Sequence, residues 1–299
     1  MAKPKRVFDP TELARYGGLS LVARRVVEGF LTGIHRSPFK GFSLEFAEHR
    51  QYYPGDEIRR IDWRVYGKTD RYFIKEFEDE TNLKAVLVVD ASGSMGYRGK
   101  QKLSKFEFAR QVAASLAYLL LGQLDAVGLL THDTKTRAFI PPKTTSKHLF
   151  MLLNELEHTT NGGETSLGEV WDQIAGQHLK RRGLVILLSD CFDQVSSLTR
   201  ALRHLRYGRH EVILFHILAP EELEFPFTNP TKFRNLEVKG HEITMDARRL
   251  REEYLRNFEA HRAELRRTVE ELRIDYHLLR TDEPVERALG AYLDRRRRL

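Results

Sequence analysis

One carboxylate and two hydroxyls in the segment Asp90-Ala-Ser92-Gly-Ser94 are the side chains of this sequence best suited to chemistry. They directly follow the apolar run 85–89, which is typical of a buried strand. All three groups are oxygen donors, and a hard divalent cation such as Mg²⁺ prefers oxygen ligands to histidine or cysteine. The Asp-x-Ser-x-Ser spacing at a strand end therefore predicts part of a magnesium site, with Mn²⁺ or Ca²⁺ as alternative ions.

Two later segments should bring more oxygen donors to the same place. The glycine-rich segment 161–168 contains Thr165 and leads into a helical pattern, and Asp190 directly follows another apolar run. In an open parallel sheet, ligands bind beyond the carboxyl ends of the strands, near the point where the strand order reverses. We therefore predict that Thr165 and Asp190 join the first three side chains in one metal site.

The predicted ligand set resembles the metal-ion-dependent adhesion site of von Willebrand factor A domains in its order and in its positions along the chain. Its members are Asp90, Ser92, Ser94, Thr165 and Asp190. The resemblance implies that the hydroxyl groups lie beside the cation, that the aspartates act largely through water, and that one ligand position takes an acidic residue of a partner protein. The chain departs from the family at Cys191, where many A domains have glycine, and this bears on the shape of the loop.

The elements that position these residues follow from the apolar pattern. From residue 84 onward, strand-like runs alternate with segments of helical period, which favours a parallel sheet covered on both faces. Strands are predicted at 85–89, 126–131, 184–189, 212–217 and 276–279, with an antiparallel edge strand at 136–140. Helices are predicted at 106–121, 146–157, 167–177, 195–207 and 285–298. The fold class is therefore α/β, a doubly wound, Rossmann-like and mostly parallel sheet, and the resemblance implies the von Willebrand factor A type.

Two features interrupt this alternation, and the first third of the chain differs from the rest. A hairpin insertion is predicted near 225–244 and a long charged helix over 246–273, with Asp246 as its cap. Before residue 83, the pattern predicts a helix at 11–30 and short strands at 43–53, 62–66 and 72–78. We therefore predict an N-terminal region, 1–82, with a helix and an accessory β region, and a von Willebrand factor A-like domain over 83–299.

A second resemblance spans nearly the whole chain. The segments 41–56, 59–63 and 75–78, together with 275–284, resemble the bacterial domain-of-unknown-function 58 family. Members are often encoded beside a MoxR-type AAA+ ATPase, so the resemblance implies an adaptor or co-chaperone that acts with this ATPase and its client protein. From the residues alone, the charged and aromatic cluster in 41–80 is either a buried ion-pair network or a partner-docking surface.

Composition limits the class of protein and its compartment. The 299 residues are 41% hydrophobic and 30% charged, which is ordinary for a globular protein. The longest apolar segment, 112–121, is about half the ~20 residues that span a bilayer, and the N-terminus lacks a secretory pattern. A single cysteine, Cys191, excludes an internal disulfide and any multi-cysteine zinc site. We expect a cytoplasmic protein with no transmembrane segment and, because acids interleave with the basic residues, no nucleic-acid partner.

Two enzyme classes are alternatives. Ser94 lies in a near match to the Gly-x-Ser-x-Gly nucleophile elbow of serine hydrolases, and Asp190 with His210 or His216 would follow in triad order. A polar segment separates this motif from the next helix, however, and a hydrolase would leave Asp90 without a role. A Mg²⁺-dependent phosphotransfer enzyme usually needs a further carboxylate or a phosphate-binding loop, and the sequence has no such loop motif. The sequence therefore favours protein binding over catalysis.

Overall fold

A computed structural model describes residues 17–36, 49–51, 66–67, 72–75, 83–164, 166–179, 181–238 and 240–296. The chain divides into two compact units, one with the described residues up to Thr32 and from Leu83 onward, the other with those between Gly33 and Asn82. The smaller unit contains two short antiparallel strands, β1 (His49–Gln51) and β2 (Phe73–Lys75). The candidate site lies in the larger unit.

The remaining elements alternate between strands and helices along the chain. The strands are β3 (Lys84–Asp90), β4 (Ala126–His132), β5 (Thr136–Lys143), β6 (Leu184–Ser189), β7 (Glu211–Leu218), β8 (Pro230–Arg234), β9 (Glu242–Asp246) and β10 (Asp275–Arg280). The helices are α1 (Gly17–Arg36), α2 (Lys105–Gly122), α3 (Ser146–His158), α4 (Leu167–Gln177), α5 (Val195–Tyr207), α6 (Pro220–Glu224), α7 (Ala247–Glu271) and α8 (Glu286–Arg296).

The six-stranded sheet has the strand order β10-β7-β6-β3-β4-β5. All neighbours pair in parallel except β5, which is antiparallel to β4 at one edge. From β3 the chain proceeds to β4 and β5 on one side, and it then returns to form β6 on the other side. The strand order therefore reverses between β3 and β6. Asp90 ends β3 and Asp190 directly follows β6, so both carboxylates stand at this reversal.

Helices pack on both faces of the sheet, which explains why the central strands are buried in unbroken runs. On one face, α4, α5 and α7 pack against β3, β6 and β7, with Trp171, Leu198 and Leu265 in the core. On the other face lies α2, which contacts β3, β4, α3 and α8. Helix α1 is fixed to α3 where the Leu19 amide donates to Glu157 Oε1 at 3.0 Å. These layers confirm the predicted doubly wound α/β architecture.

The predicted interruptions are also present. Strands β8 and β9 form an antiparallel hairpin that overlaps the predicted insertion, 225–244, and ends two residues beyond it. Helix α7 begins directly after Asp246, whose carboxylate accepts from the Arg248 amide at 3.1 Å, so the predicted cap is confirmed. In the part of the chain that the structure describes, no helix is both long enough and apolar enough to cross a membrane.

The N-terminal predictions need two corrections. The first helix does not end at residue 30 but continues to Arg36, because the apolar residues Val27 and Ile34 keep the helical period and a glycine costs a helix only about 1 kcal/mol. Tyr66, predicted as the end of a strand, is helical. The rest of that predicted strand, 62–65, and residues 11–16 of the predicted first helix lie outside the described residues.

A glycine at the crossing of α4 and α5 leads to the first prediction. A Cβ atom on Gly168 would lie 2.1 Å from Ser197 Oγ and 2.7 Å from the Ser197 carbonyl carbon. Because the backbone of α5 must move to admit it, Gly168→Ala should lower the free energy of unfolding by about 2 kcal/mol. Chemical denaturation measures this loss. Gly176→Ala in the same helix is the matched control, since the nearest atom to its new Cβ is 3.7 Å away, and it should be neutral or mildly stabilising.

Candidate metal centre

Asp90 is the central carboxylate of the site and is fully buried at the end of β3. Its Oδ1 accepts a hydrogen bond from the Ser92 amide at 2.9 Å, and its Oδ2 accepts one from Ser189 Oγ at 2.6 Å. The first bond closes the turn after the strand, and the second ties the ends of β3 and β6 together. The carboxylate is therefore held in a fixed orientation at the strand reversal.

The two serines form the second part of the site. Ser94 opens a short 3₁₀ turn, Ser94–Gly96, directly after the strand end. The hydroxyl oxygens of Ser92 and Ser94 are 3.1 Å apart, and the Ser94 hydroxyl is near enough to the Asp190 carboxyl to lower its pKa. The two serines therefore bridge the distance between Asp90 and Asp190.

Asp190 is also buried, and a lysine engages it directly. Its Oδ2 accepts from Lys105 Nζ at 2.7 Å, and its Oδ1 accepts from the Phe192 amide at 3.2 Å. Lys105 is the first residue of α2, and its ammonium also donates to Glu222 Oε1 at 2.6 Å. The lysine side chain is only 2% exposed, so this ion pair is shielded from solvent.

Four of the five predicted ligands thus lie together where β3 and β6 end. The fifth, Thr165, lies outside the described residues. The loop before it is joined to the site loop, because the Gly162 amide donates to the Ala91 carbonyl and the Gly93 amide to the Gly163 carbonyl, each at 2.9 Å. Arg137 on β5 donates to the Gly162 carbonyl at 2.6 Å and holds the same loop from its other side.

Three polar residues of the site were missed in the sequence. Ser189 and Glu222 carried no distinctive spacing, since a serine at a strand end and a glutamate in a short helix are both common. Lys105 did carry a signal. It occupies the same helical stripe as the buried residues Phe108, Ala109 and Val112, and a lysine on an apolar stripe requires a buried partner.

Burial and charge set the protonation of the site. Burial, followed by the charge of Asp190, raises the pKa of Asp90. Burial would also raise the pKa of Asp190, but the Lys105 ammonium outweighs it and the pKa of Asp190 lies below its usual range. Burial, together with Asp190, raises the pKa of Glu222 despite the attraction of Lys105. Asp90 and Glu222 therefore bind a proton more readily than free carboxylates do, whereas Asp190 stays ionised beside Lys105.

The donor chemistry fits a hard divalent cation. Asp90, Ser92, Ser94 and Asp190 offer carboxylate and hydroxyl oxygens, and no nitrogen or sulfur ligand stands among them. Among the described residues, no group of three or more His, Cys, Asp or Glu side chains has the arrangement of a metal site. The cation would therefore rely on neutral hydroxyls and on two carboxylates, one of which is already paired with Lys105, so part of its charge would remain available to a further ligand.

Both histidines considered for a catalytic triad are engaged elsewhere. His216 Nε2 donates to the Asp190 backbone carbonyl at 2.8 Å, and His216 Nδ1 accepts from the Tyr276 hydroxyl at 2.8 Å. His210 Nε2 donates to the Leu179 carbonyl at 3.1 Å. Burial lowers the pKa of His216 to about 3, so this ring is neutral at physiological pH. The hydrogen bonds of both rings point to structural roles in the fold.

Cys191 adopts a backbone conformation that suits the glycine that many A domains have at this position. Its φ is 53°, in the left-handed region that favours glycine, and the side chain is fully buried. The Cys191 amide donates to Ser189 Oγ at 2.9 Å, and the Cys191 carbonyl accepts from His261 Nε2 at 3.2 Å. The loop therefore keeps the backbone shape that a glycine would adopt, and these hydrogen bonds offset the strain of about 1–2 kcal/mol.

The tip of the β8–β9 hairpin lies against the site loop. A Cβ atom on Gly93 would lie 2.4 Å from the Leu236 carbonyl oxygen and 2.8 Å from the Gly163 carbonyl oxygen. Only glycine therefore fits between these two backbones. Leu236 is 42% exposed and Phe192, beside Asp190, is 65% exposed, so apolar side chains adjoin the site on two sides.

A buried histidine next to the site predicts acid sensitivity. His132 Nε2 accepts from Trp171 Nε1 at 3.1 Å, and His132 Nδ1 donates to the Asp133 carbonyl at 3.3 Å. Burial lowers the pKa of His132 to about 4, with Arg137 adding to this effect and Asp133 opposing it. Between about pH 6.5 and pH 4, His132 is protonated in the unfolded chain but not in the folded chain. The free energy of unfolding therefore falls by about 3 kcal/mol as the pH drops through this window.

The variant His132→Gln isolates this contribution, because an amide oxygen can still accept from Trp171 but does not titrate. Denaturant unfolding at pH 7 and at pH 4 should show a loss of stability about 3 kcal/mol smaller in the variant than in the wild type. Equal losses in the two proteins would show that His132 is not the buried neutral group described above.

Comparison with known proteins gives a family and a fold. A family model described as protein of unknown function DUF58 matches residues 48–264. An uncharacterized protein of Mycobacterium tuberculosis is 28% identical over 280 residues, which cover 92% of this chain and 87% of that protein. An uncharacterized protein of Mycobacterium bovis matches with the same identity and the same coverage.

Two solved structures give the structural comparison. An aerotolerance-related membrane protein from Bacteroides fragilis superposes with a TM-score of 0.50 at 14% identity, covering 72% of this chain and 99% of that one. A von Willebrand factor type A protein from Catenulispora acidiphila has a TM-score of 0.44 at 14% identity, covering 71% of this chain and 41% of that one. At 14% identity, the likeness to the protein from Bacteroides fragilis is one of fold.

Proposed function

Because the chain belongs to the DUF58 family of proteins of unknown function and has a von Willebrand factor A-like fold, we propose that it is a metal-dependent protein-binding adaptor. Its site holds Mg²⁺ and binds a carboxylate of a partner protein through that ion. The observation that carries this proposal is the set of oxygen donors from Asp90, Ser92, Ser94 and Asp190 at the strand reversal. Thr165, which follows the described residues 161–164 in sequence, is proposed as the fifth ligand.

The physical basis is that the donors neutralise the charge of the cation only in part. Two of the four described donors are neutral hydroxyls, and one oxygen of Asp190 is already engaged by Lys105. A divalent cation held in this way keeps a strong attraction for an incoming acid. Binding of a partner carboxylate would then depend on the metal.

Catalysis is less well supported by the geometry. A serine hydrolase needs an imidazole within hydrogen-bond reach of its nucleophile, whereas His210 and His216 bind backbone carbonyls. A phosphotransfer enzyme would use a lysine on its phosphate group, whereas the buried ammonium of Lys105 lies between two carboxylates. Both arrangements favour a binding site.

The proposal of a partner rests on the resemblance to the domain-of-unknown-function 58 family, whose members are often encoded beside a MoxR-type AAA+ ATPase. We infer that this ATPase, together with its client protein, is the partner, and that the protein acts as an adaptor or co-chaperone in the cytoplasm. The single thiol, Cys191, is buried and free, which suits a reducing compartment.

The proposal is tested with the full chain immobilised and the purified MoxR-type ATPase of the same organism in solution. Binding should be measurable with Mg²⁺, should be lost with excess EDTA, and should return when Mg²⁺ is restored in excess. Binding that EDTA leaves unchanged would contradict the metal-dependent mechanism. A failure to bind at any Mg²⁺ concentration would contradict the choice of partner.

A further inference from the structure

Among the described residues that contact the candidate ligands, only Lys105 carries a positive charge. It lies at the start of α2, where Ser104 caps the helix by accepting from the Glu107 amide at 3.2 Å. The cap fixes the first turn of the helix and directs the lysine toward the end of β6. Its ammonium is 2.7 Å from Asp190 Oδ2 and 2.6 Å from Glu222 Oε1.

Glu222 is itself held in place. Its Oε2 accepts from the Ala219 amide at 2.8 Å, while its Oε1 faces the lysine. The Glu222 side chain is 22% exposed, and those of Lys105 and Asp190 are 2% and 1% exposed. The three side chains form a fixed charge triad, Asp190–Lys105–Glu222, in which one ammonium is shared between two carboxylates.

A buried ammonium on one oxygen of a candidate metal ligand acts as a competing cation. We propose that Lys105 is a built-in counter-ion that weakens the affinity of the site for a divalent cation and so makes the metal exchangeable, with Glu222 drawing part of the lysine charge away from Asp190. This inference rests on the proposed metal site. Lys105 is a positioning residue in this account, because it acts on the cation through Asp190.

The triad predicts opposite effects on metal affinity for the loss of the Lys105 charge and the loss of the Glu222 charge. Lys105→Met leaves Asp190 and Glu222 without a counter-ion, so the site should attract a divalent cation more strongly. Glu222→Gln leaves the whole lysine charge to Asp190, so the site should attract the cation less. A unit charge at this range in a protein interior corresponds to roughly a tenfold change in the dissociation constant in each direction. A residue that only stabilised the fold would weaken metal binding in both variants.

The experiment is a titration of each full-length variant with Mn²⁺, followed by the electron paramagnetic resonance signal of the free ion, with Mg²⁺ as competitor. Lys105→Met should lower the dissociation constant about tenfold, and Glu222→Gln should raise it about tenfold. Glu224→Gln is the matched control, because it removes the same charge from the same short helix at a side chain that is 56% exposed and paired with Arg280.

The outcomes separate this inference from the proposed function. No saturable Mn²⁺ binding by the wild type would overturn the proposed metal site and the inference with it. Wild-type binding with unchanged constants, or with shifts of the same sign, in Lys105→Met and Glu222→Gln would overturn the inference and leave the site standing. If Lys105→Met does not fold without metal, a rise in the dissociation constant for Glu222→Gln beyond that of Glu224→Gln supports the inference, and no such rise overturns it.

Discussion

Replacing Asp90 with asparagine should abolish metal-dependent partner binding while leaving the fold intact. The side chain is fully buried and contributes one of only two carboxylates among the described ligands, so the neutral amide should weaken divalent-cation affinity by a factor of a hundred or more, on the order of 3 kcal/mol. The amide oxygen can still accept from the Ser92 amide, and the Ser189 hydroxyl can rotate to accept from the amide nitrogen. The shape of the strand end should therefore persist.

Stability without metal gives an independent check on the same variant. A buried carboxylate costs free energy of desolvation, which is why the pKa of Asp90 is raised, so Asp90→Asn should unfold at the same or a higher denaturant concentration in EDTA. Adding Mg²⁺ should stabilise the wild type and should leave the variant unchanged. Asp172→Asn is a suitable control, because this carboxylate is exposed and pairs with His204 away from the site. A variant that still responds to Mg²⁺ like the wild type would contradict the role given to Asp90.

The largest effect on stability is expected at Trp171. This indole is 1% exposed within the core between the sheet and helices α4 and α5, and it donates to His132 Nε2 at 3.1 Å. Trp171→Ala should lower the free energy of unfolding by about 4 kcal/mol, because it leaves a cavity and an unpaired imidazole nitrogen. Urea denaturation of the full chain, followed by far-ultraviolet circular dichroism, measures the loss.

Trp171→Phe divides that loss into its two parts. The phenyl ring fills most of the space but donates no hydrogen bond. The lost hydrogen bond should lower the free energy of unfolding by about 1–2 kcal/mol, and the change in volume should add only a small further loss. The consequences should reach the site loop, because the His132 carbonyl accepts from the Ala91 amide at 2.7 Å. A loss below about 1 kcal/mol for Trp171→Ala would contradict the packing described for this face of the sheet.

The central sheet could be predicted because the apolar runs of its strands agree with their buried positions in the fold. Buried parallel strands such as 184–189 must be apolar on both faces, so a continuous run bounded by turns marks them. The strand reversal then places Asp90 and Asp190 side by side from topology alone. The first helix was harder to delimit, because Gly29 and Gly33 suggest an end that the apolar period of the helix overrides.

The charge triad could not be predicted, because it depends on contacts between residues distant in sequence. Lys105 and Asp190 are 85 positions apart, and Lys105 and Glu222 are 117 apart. No local spacing relates them, and only the packing of α2 against the sheet brings them together. The lysine on an apolar helical stripe was the one local sign that a buried partner had to exist. Sequence patterns therefore predicted the meeting of the two strand-end aspartates better than the contacts that Asp190 makes with other parts of the chain.

The most direct test of the central claim is a Mn²⁺ binding isotherm for the full-length wild type alongside Asp90→Asn, with Mg²⁺ added as competitor. The account predicts one saturable site per chain in the wild type, displacement by Mg²⁺, and loss of that site in the variant. Absence of saturable binding in the wild type, or an unchanged isotherm in Asp90→Asn, would contradict the proposal that these oxygen donors form a divalent-cation site.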